Sequence, residues 1–155
     1  MVEMPSEREL LACCASPRWA GEVAAHQPYS DLETLCQLSD TVLGALPWDE
    51  VLTALAAHPR IGERPMGNGR EASWSRSEQA TAGPDGRRAD ELRSANAEYE
   101  RRFGHVFLIC AVGLSADDVL ESLWKRIEND PTAERVAVRE ELRKIVRVRL
   151  TKLVT

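Results

Sequence analysis

Apolar residues spaced three or four apart dominate this chain, and that period restricts its fold more than any other feature. From Asp31 the residues Leu32, Leu35, Cys36, Leu38, Val42, Leu43 and Leu46 keep helical spacing until Pro47, whose ring cannot continue a helix. After Ser115 and Asp118 the same period returns in Val119, Leu120, Leu123, Trp124 and Ile127. Asp130-Pro131 then caps and starts a long final helix carrying Leu142, Ile145, Val146 and Leu153. A strand buried on one face would alternate apolar and polar residues, and no such pattern occurs.

The rest of the chain fits around these helices. Ser6 with Glu9 forms a capping box ahead of Leu10, Leu11 and Cys14, and Pro17 and Gly21 punctuate the next stretch of chain. Asp49 is placed to cap a helix containing Val51, Leu52, Leu55 and Ala56, which leads into His58-Pro59. Glycines and a proline between Arg60 and Gly69 predict a loop. Ser75 with Glu78 is a second capping box, opening a helix that ends by Gly83-Pro84, and the GPDG segment is a turn. Arg87 to Arg102 is a polar helix with Leu92, Ala95 and Tyr99 on one face. The apolar run from Val106 to Val112 reads equally as a strand or a buried helix. At least six helical segments predict an all-α fold, a helical bundle forming one domain over residues 1–155.

Composition excludes several function classes. A chain of 155 residues supports one core, burying about 68–70% of its unfolded surface. Its 20 Lys and Arg against 25 Asp and Glu give a net charge of −5, which does not attract nucleic acid. Cys13, Cys14, Cys36 and Cys110 make no C-x-x-C pair of metal-binding or redox spacing. The start lacks a basic region followed by an apolar run, so the expected location is the cytoplasm with reduced thiols. The longest apolar run, Phe107 to Gly113, is far short of the roughly 20 residues that span a bilayer, so no membrane partner is expected.

Three places carry candidate chemistry. His58 precedes a proline and so ends its helix, where the dipole favours the protonated ring by about 0.3–1 kcal/mol. It reads as a general acid or as a plain cap of the last carbonyls. Ser75, Glu78 and Gln79 either cap a helix start or present its N–H groups and side chains to a ligand. Arg149 lies inside the apolar stripe of Leu142, Ile145, Val146 and Leu153, so its guanidinium needs either an acidic partner such as Glu78 or an anionic ligand. Arg143, Lys144, Arg147 and Lys152 spread over other faces and read as solvated charge. His26 and His105 form no metal pattern with His58, and no P-loop, G-x-S-x-G or G-x-G-x-x-G is present.

The series HPRIG at 58–62, SRSEQ at 75–79, NAEYERRFGHVFLICAVG at 96–113 and RKIVRVRLTKL at 143–153, with SPRWA near the start, resembles the 2-oxo-4-hydroxy-4-carboxy-5-ureidoimidazoline (OHCU) decarboxylases. The likeness runs nearly end to end. It implies an all-helical homodimer that acts in urate and purine catabolism, uses no cofactor or metal, and yields (S)-allantoin and carbon dioxide. It places the catalytic histidine on His58, with Glu78 and Arg149 beside it in the reaction. Pro59, Ser75, Glu78, Gln79, Arg149 and the segment holding Phe107, Ile109 and Ala111 would bind substrate. Many relatives carry Phe-Pro where this chain has His105-Val106, a change in the pocket wall. A related enzyme acting on another ureido compound, and a helical module that binds a purine catabolite without turnover, are the alternatives.

Overall fold

The computed structural model describes residues 5–61 and 86–155. Among these residues there are seven helices and no strand: α1 (Glu7–Cys13), α2 (Pro17–Ala25), α3 (Leu32–Ala45), α4 (Trp48–Ala56), α5 (Gly86–Phe103), α6 (Ala116–Arg126) and α7 (Pro131–Val154). The all-α expectation holds. Contacts gather in two compact units, one running to Ala57 and including Leu142–Thr155, the other His58–Glu141. The Ser75–Glu78 helix and the GPDG turn lie outside the described residues.

The first unit is built on capped helices. Ser6 and Glu9 make the reciprocal capping box at α1, and Asp31 accepts the Thr34 N–H at 2.7 Å to open α3. Pro17 punctuates the chain as the first residue of α2. Its missing N–H is one that no helix start uses, and Ser16 accepts the Trp19 N–H at 3.1 Å. Gly21 does not break the chain but sits inside α2, where a Cβ would lie 3.2 Å from Glu7 Oε1, the tip of an exposed side chain. Trp19 is fully buried and donates its indole N–H to Ser39 Oγ at 3.1 Å.

Two further expectations are corrected here. Asp49 does not cap α4, which starts after Pro47 with no side-chain cap, leaving Asp49 and Glu50 in the first turn where the dipole favours acids. Arg147 is not a solvated charge: Nη2 donates to Asp40 Oδ2 at 2.6 Å, Nε donates to Oδ1 at 3.2 Å, and Glu33 adds bonds at 3.5 Å. These carboxylates hold the Arg147 guanidinium above its ordinary pKa. Arg143 also approaches Asp40, at 3.8 Å.

The second unit encloses Ile61, Leu92, Ala95, Tyr99, Phe107, Ala111, Val119, Leu120 and Leu123 in one apolar cluster. Ser115 and Asp118 cap α6 reciprocally, which keeps the Asp118 carboxyl below its usual pKa. Asp130 accepts the Ala133 N–H at 2.7 Å to begin α7. The run from Val106 is neither strand nor helix as far as Ala111, and Val112 lies in a turn. Gly104 and Gly113 bracket it with φ of 81° and 78°, a left-handed backbone that other residues rarely adopt. Gly104 donates its N–H to the Glu100 carbonyl at 2.8 Å as it ends α5.

Candidate active site

His58 stands where its Pro59 neighbour puts it, just beyond the end of α4. The cap residue Ala57 turns its N–H back to the carbonyls of Ala54 and Leu55. His58 and Pro59 are both partly exposed. Arg60 and Ile61, next in the chain, are clamped to α5. Arg60 makes a bidentate pair with Glu100, at 2.7 Å from Nε and 2.9 Å from Nη2. One residue on, the Ile61 carbonyl accepts the Asn96 side-chain amide at 2.9 Å. Asn96 is only 3% exposed, and its buried Oδ1 has no hydrogen-bond partner among the described residues. A cavity of about 510 Å³ opens here, lined by Arg60, Arg93, Asn96, Ala97, Glu100 and Arg101.

The apolar segment forms another part of the second unit. Phe107 and Ala111 are buried, while Ile109 is partly buried against the same cluster. Leu108 and Cys110 are tied by their backbones, since Arg126 Nη1 donates to the Leu108 carbonyl at 2.6 Å and Glu141 Oε1 accepts the Cys110 N–H at 3.0 Å. His105 fits an aromatic setting, edge-on to Tyr99 at 5.6 Å and stacked on Phe103 at 6.2 Å.

Arg149 belongs to the first unit and is 4% exposed, as its place in the apolar stripe predicts. It lies close enough to Cys14 to draw that thiol toward ionisation, but burial is stronger and pushes the Cys14 pKa up to about 12. Glu50 is in the same neighbourhood, accepting from Ser16 Oγ at 3.2 Å and the Arg18 N–H at 3.3 Å, so the Ser-Pro-Arg-Trp motif is anchored close to Cys14. Cys13, Cys14 and Cys36 are buried and Cys110 is partly exposed. A thiol reagent at neutral pH is thus expected to modify Cys110 in the native protein and the others only on unfolding. Rapid native labelling of Cys14, read by peptide mass spectrometry, would contradict this burial.

Ser75, Glu78 and Gln79 lie outside the described residues, and His58 and Arg149 fall in different units, each described within its own. Sequence reasoning did not single out Asn96, although it sits four residues from Leu92 and three from Tyr99 on their buried face.

A family model described as OHCU decarboxylase matches residues 3–151. The chain belongs to this family. The 2-oxo-4-hydroxy-4-carboxy-5-ureidoimidazoline decarboxylase of Amia calva is 30% identical over 89% of this chain and 81% of its own length. That of Mus musculus is 31% identical over 88% of this chain and 79% of its own. The uric acid degradation bifunctional protein TTL of Arabidopsis thaliana is 32% identical, and there the chain spans 47% of the relative's length. A crystal structure of an OHCU decarboxylase in the presence of (S)-allantoin superposes with a TM-score of 0.81 at 28% identity, over 94% of this chain and 96% of that one. A solved (S)-allantoin synthase shares the fold, with a TM-score of 0.70 at 19% identity over 97% of this chain and 51% of that one.

Proposed function

We propose that this protein is a carboxy-lyase that converts OHCU to (S)-allantoin and carbon dioxide in urate degradation. The observation that carries the reading is the match of fold and sequence over nearly the whole chain to a decarboxylase solved with (S)-allantoin. The substrate's name defines the chemistry. Its carboxyl and hydroxyl share one ring carbon, and the neighbouring carbon, which bears the ureido group, is doubly bonded to nitrogen. When the carbon–carboxylate bond breaks, its electron pair forms a bond between these two carbons, and the C=N pair moves to nitrogen and takes a proton. The resulting enol becomes a carbonyl as its hydroxyl proton leaves and a proton is delivered to the ureido-bearing carbon, and the face of delivery sets the chirality.

In this reading His58 supplies a proton to the developing charge, which at a helix C-terminus is the form the dipole favours. Glu78 orients the histidine or holds the hydroxyl and ureido groups. Arg149, a buried guanidinium, pairs with an anionic or carbonyl oxygen of the substrate. Pro59, Ser75, Gln79 and the backbone at Phe107, Ile109 and Ala111 complete the pocket, with no cofactor taking part, and residues 1–155 act as one domain of a cytoplasmic homodimer.

The test is direct. OHCU generated in situ from urate by the two preceding enzymes should lose its ultraviolet absorbance faster when the protein is added, with allantoin circular dichroism rising in step. Tight binding of a purine catabolite without faster appearance of optically active allantoin would instead identify a binding module. Sedimentation of the pure protein checks the homodimer.

A further inference from the structure

Three polar side chains of the second unit are buried without a part in the proposed proton transfers. Tyr99 is 0% exposed, Glu134 1% and Arg126 9%. Arg126 reaches Glu134 Oε2 from Nη2 at 2.6 Å and from Nε at 3.0 Å, the Tyr99 hydroxyl donates to the same oxygen, and Asn129 donates to Oε1 at 3.0 Å. Burial and the Glu134 charge push the Tyr99 pKa upward, so its hydroxyl remains a donor. The cluster also extends outward. Arg126 Nη1 donates to the Leu108 carbonyl at 2.6 Å, and its guanidinium lies 4.5 Å from the centroid of the Phe107 ring, which Tyr99 meets edge-on at 5.2 Å.

A buried ion pair is a poor source of stability, because apolar residues of similar volume often serve as well or better. What they cannot do is fix the direction of a carbonyl. Here Arg126 and Glu141 each hold one backbone group, at Leu108 and Cys110, while the N–H and C=O of Ile109 between them make no hydrogen bond among the described residues. We propose that the Arg126–Glu134–Tyr99 cluster is a positioning device that sets the course of the backbone over residues 107–111. Its effect on catalysis rests on the decarboxylase reading, but its effect on the segment does not.

The test uses two variants. The apolar triple Tyr99→Phe/Arg126→Met/Glu134→Leu removes the network and leaves no charge in its place. Arg126→Lys keeps the charge opposite Glu134 but cannot also stack on Phe107 and reach the Leu108 carbonyl. Both are read by thermal denaturation, by amide hydrogen exchange at Leu108, Ile109 and Cys110, and by kcat and KM with OHCU. The expected result is a folded protein in at least one case, with exchange at the three amides faster by about tenfold and kcat/KM lower by about tenfold or more, the scale of loss that small misplacement causes. A folded variant with exchange and kcat/KM within about twofold of wild type overturns the proposal, and so does failure of both variants to fold, which would make the cluster a stability element. Should the wild-type protein not consume OHCU, the function falls while amide exchange still decides the positioning role.

Discussion

Replacement of His58 by alanine is expected to lower kcat for OHCU decarboxylation by about 10²–10⁴-fold, the usual contribution of a positioned general acid or base. The loss should fall on kcat, since the proton matters when charge develops and not when substrate docks. Two local features make the histidine fit for this. Pro59 disfavours helix at the residue before it, so His58 follows directly on the end of α4, and Glu100 and Asn96 pin Arg60 and Ile61 to α5. An acid must be protonated to act, so the wild-type rate should fall as the solution becomes alkaline, and this dependence should vanish in His58→Ala. A kcat within a few fold of wild type would leave His58 as a helix cap and return the chemistry to other residues.

Glu134→Ala is expected to destabilise the fold by about 3–5 kcal/mol, the usual cost of removing one member of a buried ion pair. The carboxylate is 1% exposed and receives hydrogen bonds from Arg126, Tyr99 and Asn129, so alanine would strand a buried guanidinium and a buried hydroxyl together. That outweighs the cap losses of about 1 kcal/mol that other single substitutions would bring. Urea unfolding of the two proteins measures it, and a difference below about 1 kcal/mol would mean that water or a side-chain shift resolvates Arg126. Glu134→Gln should cost less, because its carbonyl still accepts one of these bonds.

The contrast between Arg149 and Glu134 marks what the sequence makes legible. A charge inside an apolar stripe is readable from spacing alone, and that test applied to Arg149 correctly predicts its burial. The same test would have found Arg126, three residues after Leu123, and Glu134, four before Val138. Periodicity and caps also place α3, α6 and α7, where apolar spacing and Asp or Ser caps agree. The meaning of proline depends on register: Pro17 begins a helix, and Pro47, which follows the end of α3, occupies the cap position that Asp49 would have filled. The segment after Gly104 is ambiguous in sequence because its period belongs to neither regular element, its course being set by two left-handed glycines and by side chains distant along the chain. The pairing of Arg147 with Asp40 joins α7 to α3 across most of the chain's length, and no local pattern signals it.

The distribution of thiols gives this protein a built-in reporter. Cys110 is the partly exposed one, and its own N–H is held by Glu141 within the segment that Arg126 grips at Leu108. A trifluoromethyl group attached there would give a single fluorine resonance beside Ile109. Ligand arrival, or loosening of that stretch of chain, could then be followed as a change in line position and width, in native protein and without replacing any residue.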